Sequence, residues 1–254
     1  MFFRQLLQDE TACASYLLGC KSRARLAVVD PHADLVERYL ELAAAQGIPI
    51  VAVLETHVQA DHVSGLPELV ARTGAIPYLP EGAGVGFEHV ALADGAEVEL
   101  GNTTLRALAT PGHAAAHHAY AVIDHTRAEE PWLVLTGDAL LVGDAGRPDL
   151  HASEDASPED MARTLYRSIR DKLLALPDNV ALYPAHYSGS VCGRGLSSNP
   201  SSTVGFERAH NPALQLESED EFAAALVRDI PPAPERQAEI LAANRAGATA
   251  ASRA

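Results

Sequence analysis

The chain of 254 residues carries a formal net charge of −15, with 47% hydrophobic and 21% charged residues. These proportions are typical of a globular protein that can build a sizeable core without disulfides. The acidic balance argues against nucleic acid or an anionic membrane surface as a partner. No run of the sequence approaches the roughly 18 apolar residues that a membrane span needs.

Cysteine usage and the start of the sequence bear on the compartment. The three cysteines, Cys13, Cys20 and Cys192, match no zinc-knuckle spacing and indicate a reducing environment. The first ten residues, MFFRQLLQDE, lack the apolar segment and cleavage site of a signal peptide. We therefore expect a cytoplasmic protein.

The first third of the chain alternates between strand and helix patterns. Apolar runs predict buried strands at Arg25 to Pro31 and at Ile48 to Thr56. Helical spacing of apolar residues, ended by glycine, predicts helices at Ala33 to Gly47 and at Leu66 to Gly74. This alternation indicates a layered α/β fold.

The rest of the chain is first β-rich and then mixed. Residues 75 to about 110 are predicted to form strands separated by turns at Asp94-Gly95 and Gly101-Asn102. Further predicted elements are strands at 117–123 and 131–138, a helix at 157–176 capped by Ser157, and a strand at 179–186.

The order of these elements predicts an α/β protein with two sheets packed face to face and helices outside. We find no internal repeat and no separating linker, so residues 1–254 are expected to form a single domain. The chain should end in a helical tail from about residue 219, with a short helix after Pro231 and a frayed terminus.

Chemically active side chains follow several of the predicted strands directly. Strand ends are where layered α/β folds collect their sites, because a rigid scaffold aims the loop side chains there. Imidazole and carboxylate groups are also the usual ligands of zinc, iron and manganese. The residues concerned are His57, Asp61, His62, His113, Asp138 and His186.

Four motifs in this order, THVQADH, TPGH, TGDALL and YPAH, resemble those of the metallo-β-lactamase superfamily. The resemblance runs from the N-terminus to about Leu214 and implies an αββα sandwich of two mixed sheets with metal at one sheet edge. The first motif in that superfamily is usually T-H-x-H-x-D-H. Gln59 therefore departs from the pattern.

In dinuclear hydrolases of the superfamily, the resemblance assigns His57, residue 59 and His113 to one metal. It assigns Asp61, His62 and His186 to a second metal, with Asp138 bridging. A glutamine is neutral and a weak ligand for zinc. Gln59 thus disfavours a dinuclear zinc hydrolase.

The persulfide dioxygenases, relatives of glyoxalase II, are the more similar branch, and their single iron needs no ligand at position 59. The resemblance implies one Fe(II) per chain on His57, His113 and Asp138, a facial triad of two histidines and a carboxylate. Gln59 and His186 would then be hydrogen-bonding neighbours of the ligands. A single zinc on the alternative set Asp61, His62, Asp138 and His186 stays open.

Substrate contacts are also implied by the resemblance. The segment GDALLVGDAGRPDL would place Arg147 against the carboxylate of a thiol carrier, although Arg147 could instead pair with Asp149 or Asp144. The glycine-flanked Cys192 would meet the persulfide or be oxidised, or it is simply an inert buried thiol. Asp61 and His62 would assist catalysis by orienting ligands or water.

One further motif departs from the family pattern. His117 and His118 follow TPGH, and adjacent strand residues cannot both face the same side. At most one of them is therefore expected to face the site, and ordinary strand residues are the simpler interpretation.

The resemblance implies an iron-dependent dioxygenase that converts a small thiol persulfide, such as glutathione persulfide, and O₂ to sulfite and free thiol. The alternatives are a zinc-dependent thioester hydrolase of the glyoxalase II type and a non-catalytic metal- or thiol-binding protein. The expected partners are small molecules, and the sequence is compatible with a homodimer.

Overall fold

The computed structural model describes most of the chain, namely residues 1–151, 156–190, 192–193, 195–228, 230, 232–233 and 236–247. It consists of two six-stranded sheets that face each other, with helices on both outer surfaces. None of the helices in these described ranges is long and apolar enough to cross a membrane.

The first sheet is built in chain order. The first three strands pair antiparallel. The third strand also pairs parallel with the fourth, and the parallel pairing continues to the sixth, so the sheet is mixed. Its outer side is covered by α1 (Val36–Gln46) and α2 (Leu66–Thr73), which connect parallel strands. The strands are β1 (Phe2–Gln8), β2 (Cys13–Cys20), β3 (Arg25–Val29), β4 (Ile50–Leu54), β5 (Ile76–Pro80) and β6 (Val90–Leu92).

The second sheet is also mixed, because β10 (Leu133–Gly137) and β13 (Ala181–Pro184) run parallel. Its strand order is β14 (Ser202–Thr203), β13, β10, β9 (His118–Asp124), β8 (Thr103–Ala109) and β7 (Glu97–Glu99). A two-stranded hairpin, β11 (Leu140–Leu141) with β12 (Asp144–Ala145), follows β10.

Helices from the second half of the chain cover the outer side of this sheet. Phe222 and Leu165 are fully buried in one cluster there. The helices are α3 (Pro158–Ser168), continued by a π-helical turn (Ile169–Leu173), α4 (Val204–His210) and α5 (Glu219–Leu226). The last helix is α6 (Gln237–Ala246), and short 3₁₀ turns span Ala33–Leu35 and Pro212–Gln215.

Between the sheets lies a core of interdigitating apolar side chains. Tyr16, Leu18 and Leu54 of the first sheet pack with Leu105 and Tyr120 of the second. Alternation along each strand sends the neighbouring side chains to the outer faces, where they pack under the helices. The predicted sandwich of two mixed sheets with outer helices is thereby confirmed.

Most predicted elements are present with small shifts of their ends. Ser157 caps α3 as expected, because its side chain accepts a hydrogen bond from the backbone of Asp160. The helix predicted over 157–176 differs in its second half, which widens into the π-helical turn. The helix expected after Pro231 is α6, and the terminus predicted to be frayed lies outside the described residues.

Substituting Leu105→Ala should lower the free energy of unfolding by about 2–5 kcal/mol, because it removes a fully buried side chain between the sheets. Chemical denaturation measures this change. Ile76→Ala is the control, since Ile76 is 47% exposed. An equal loss in both variants would contradict the placement of the core.

Candidate metal centre

The site is formed where strands of both sheets end. His57 follows β4 of the first sheet, whereas His113, Asp138 and His186 follow β8, β10 and β13 of the second. All four side chains are at most 1% exposed. The sheets thus bring together, at one edge, residues that lie far apart in the sequence.

Two imidazoles converge on one carboxylate oxygen. The Nε2 atom of His113 lies 3.5 Å from Oδ2 of Asp138, and Nε2 of His57 lies 3.9 Å from the same oxygen. The two rings are nearly perpendicular, with centroids 4.8 Å apart. Their nitrogens therefore approach the oxygen from different directions.

The hydrogen bonds of the Nδ1 atoms determine the tautomers of His57 and His113. Nδ1 of His113 lies 2.8 Å from the carbonyl oxygen of Arg147, which can only accept, so Nδ1 carries the proton. Nδ1 of His57 lies 3.0 Å from the Thr56 hydroxyl, whose own proton goes to Asp30. Both Nε2 atoms consequently present lone pairs toward Asp138.

This arrangement fits a metal ion. Oδ2 of Asp138 is buried and has no hydrogen-bond partner among the described residues. Burial lowers the pKa of His57 and of His113, so both rings stay neutral. Three buried acceptors that face one another repel unless a cation lies between them, and this donor set suits Fe(II) or zinc.

A second cluster is linked to the first through His186. Its Nδ1 lies 2.6 Å from Oδ1 of Asp138, and its Nε2 lies 2.7 Å from Oδ2 of Asp61. The other oxygen of Asp61 lies 3.1 Å from Nδ1 of His62. Burial alone would lower the pKa of His186, but Asp138, Cys192 and Asp61 outweigh it and raise that pKa well above its usual value.

Cys13 belongs to this second cluster, although the sequence suggested no role for it. Its sulfur lies 3.3 Å from Nε2 of His186 and 3.5 Å from Nδ1 of His62. Burial raises the pKa of the Cys13 thiol, but the two imidazoles outweigh burial and lower it to about 7. Cys13 begins a buried strand, so only the tertiary fold reveals the contact.

Gln59 lies beside the site and contacts a residue that the sequence reasoning missed. Its side-chain amide lies 3.3 Å from Oδ1 of Asp30, which also accepts a 2.7 Å hydrogen bond from the backbone of Thr56. Burial raises the pKa of Asp30 to about 6. Asp30 directly follows β3, so the rule that picked out polar residues at strand ends could have found it.

The adjacent histidines point to opposite sides. Nε2 of His117 accepts a hydrogen bond from the backbone N–H of Asp138 at 3.1 Å, and Nδ1 lies 2.8 Å from the Thr110 hydroxyl. His118 points away, toward Asp94. His117 therefore holds the backbone of Asp138, and both of its nitrogens are occupied.

Arg147 and Cys192, the two residues predicted to contact substrate, lie beside His113 and Asp61 respectively. The guanidinium of Arg147 makes two 2.8 Å hydrogen bonds to Asp149, one of the two arrangements expected from the sequence. The sulfur of Cys192 is buried, 3.8 Å from Oδ2 of Asp61, and burial raises its pKa. The substrate roles of both stay predictions.

His151 is a third residue of the site that the sequence did not single out. Its ring centroid lies 5.5 Å from that of His113 and 6.0 Å from that of His57. Burial, and then the nearby His113 and Arg245, lower the pKa of His151 to about 3. Because it lies in a loop, no periodic pattern marked it.

A family comparison identifies the class of protein that this fold and site define. Residues 9–186 match the model of the metallo-β-lactamase superfamily, and the chain belongs to that superfamily. The resemblance that its four motifs suggested is thereby confirmed.

Sequence relatives include enzymes of two kinds. The mitochondrial persulfide dioxygenase ETHE1 of Bos taurus is 30% identical over 224 residues, which cover 87% of this chain and 78% of the relative. The human protein of the same name is 29% identical over the same shares. A hydroxyacylglutathione hydrolase of Pseudomonas entomophila is 33% identical over 171 residues, or 67% of this chain and 60% of that enzyme.

Solved structures agree with the sequence relatives. ETHE1 from Myxococcus xanthus has a TM-score of 0.82 and 31% identity, and the match covers 97% of this chain and 99% of that one. A metallo-β-lactamase from Staphylococcus aureus has a TM-score of 0.87 and 30% identity, with 97% of this chain and 72% of that one covered.

Substituting Gly146→Ala should weaken metal binding about tenfold or more, an effect typical of a lost ligand-orienting contact. An added Cβ would lie 1.8 Å from the carbonyl oxygen of Asp138, so the loop must move and take the Arg147 carbonyl away from His113. Competition with a chelator under anaerobic conditions measures the affinity. Gly86→Ala is the control, because its Cβ would meet nothing closer than 3.7 Å; equal affinity in both variants would contradict this role.

Proposed function

We propose that the protein is an iron-dependent persulfide dioxygenase that oxidises a small thiol persulfide with O₂ to sulfite and free thiol. The observation that carries the proposal is the convergence of two neutral imidazole nitrogens on one unpartnered carboxylate oxygen. Two histidines and one carboxylate form the facial triad of non-haem Fe(II) oxygenases. Similarity to ETHE1 persulfide dioxygenases over most of the chain supports the same reaction.

The surrounding residues hold each ligand in place. His186 donates to Oδ1 of Asp138, which leaves Oδ2 for the metal, and Asp61 in turn fixes His186. The Arg147 carbonyl orients His113. Such outer hydrogen bonds set the tautomer and the direction of a ligand. Fe(II) bound there would supply open coordination positions for the persulfide sulfur and for O₂.

The second cluster favours a supporting role over a second metal. Both nitrogens of His186 face carboxylates within 2.7 Å, and its raised pKa keeps the ring protonated. To bind a metal, His186 would have to lose a proton and its ion pair with Asp61. We therefore assign Asp61, His62 and His186 to the orientation of the iron ligands and of bound water.

The zinc-dependent thioester hydrolase is the alternative with specific support. Asp61, His62, His186 and Cys13 each place one ligand atom within 4.8 Å of the others. The similarity to hydroxyacylglutathione hydrolases points the same way. In that case zinc would hold a hydrolytic water near Asp61, and iron would be dispensable.

A cavity beside the ligands suits the thiol carrier. It is lined by His151, Arg245 and the small side chains of Ala114, Ala115 and Ala116, next to His113. A carboxylate of glutathione persulfide would find the Arg245 guanidinium there. Arg147 could bind a carboxylate only in competition with Asp149.

The Fe(II)-loaded protein, prepared without oxygen, should consume O₂ and form sulfite when glutathione persulfide is added. His113→Ala should reduce this rate by about 100-fold or more, because it removes a metal ligand. His125→Ala is the matched control, since that imidazole pairs with Glu129 away from the site. An oxygen electrode measures the O₂ uptake, and a sulfite assay measures the product formed.

Metal content and thioester cleavage provide the test against this proposal. If the protein retains zinc, consumes no O₂ and cleaves a glutathione thioester, the dioxygenase assignment is wrong. Loss of that cleavage in Asp61→Asn would then place the metal in the second cluster.

Arg245→Ala should raise KM for glutathione persulfide about tenfold and leave kcat nearly unchanged, because it removes a charge-assisted contact to the carrier and no ligand. Steady-state O₂ uptake measures both constants. Arg106→Ala, which removes an exposed arginine paired with Glu97, is the control. An unchanged KM would exclude Arg245 from substrate binding.

A further inference from the structure

His151 occupies a place for which the triad gives no reason. One ring nitrogen of His151, one of His57 and one of His113 lie within 4.8 Å of one another. Two nitrogens that bind one metal at about 2.1 Å each are at most about 4.2 Å apart. A small movement of the three rings would therefore bring all of them within reach of one ion.

The Nε2 atom of His151 is also without a partner. It is buried and makes no hydrogen bond within the described part of the chain. Burying a polar nitrogen without a partner is unfavourable, and most such groups in folded proteins are satisfied. A cation shared with His57 and His113 would satisfy this nitrogen.

Position 59 is where the usual superfamily motif would place a further imidazole. The superfamily motif T-H-x-H-x-D-H would supply a second histidine there, but this chain has Gln59. Its amide nitrogen is engaged by Asp30 at 3.3 Å. The loop that carries His151 instead brings an imidazole to the same pair of histidines, from a point 92 positions further along the chain than Gln59 (151 − 59).

We propose that His151 is the third imidazole ligand of the metal that His57, His113 and Asp138 hold. This inference deepens the proposed function, because it rests on a metal at that site. Three imidazoles and one carboxylate would leave two positions of an octahedral ion for the persulfide sulfur and O₂. His151 also lines the cavity, so it would fix the side from which substrate reaches the metal.

The test compares the Fe(II) affinity of the anaerobic wild-type protein with that of His151→Gln. The variant should bind Fe(II) at least about tenfold more weakly, in chelator competition, because a direct ligand is lost. X-ray absorption should count three imidazoles in the wild type and two in the variant. His125→Gln, with a partly exposed imidazole outside the site, should match the wild type in both.

Two imidazoles in both proteins, with affinities within twofold, would overturn the assignment. Thermal melting of the metal-free proteins checks that His151→Gln is folded. The variant His113→Ala tests whether the metal lies at this site at all. If that variant also binds Fe(II) normally, the metal lies elsewhere, and the ligand assignment falls together with the proposed site.

The proposed reaction can fail independently of the ligand assignment. If His151→Gln loses affinity and one imidazole, but the wild type oxidises no persulfide, then the third ligand stands and the reaction is wrong. If persulfide is oxidised and His151→Gln keeps the full affinity, the reaction stands and the third ligand is wrong.

Discussion

The fully buried carboxylate of Asp138 is the constraint on which the site depends. An uncompensated charge at such a depth would be strongly unfavourable, so its surroundings must supply positive charge and hydrogen bonds. His186 meets one oxygen, His117 meets the backbone N–H, and two imidazole lone pairs face the other oxygen. A metal ion between them would make the last of these contacts favourable, and metal binding would then be linked to the local fold.

The packing of the two sheets brings these side chains together around Asp138. Neither sheet alone contains the triad, because His57 comes from the first sheet and His113 and Asp138 come from the second. The closely packed apolar layer between the sheets sets their distance. A dense core resists displacement of one sheet against the other, so the side chains proposed as ligands are held in place by the fold itself. Gly146 adds a local requirement, since a side chain there would strike the backbone of Asp138.

Gln59 changes the site without abolishing it. Its amide joins the hydrogen bonds at Asp30, and through Thr56 these bonds orient His57. Gln59 thus helps to position His57 through hydrogen bonds. His151 lies close to the same pair of histidines, although it belongs to a different loop.

The sequence by itself determined the strands, most helix positions and the six polar residues at strand ends, because periodicity and turn residues are local signals. It also carried the family motifs. Only the tertiary structure decided that His186 pairs with two carboxylates, and that Cys13 and His151 join the clusters. These contacts join residues tens to well over a hundred positions apart, and their geometry follows from how the sheets pack, which no local pattern encodes.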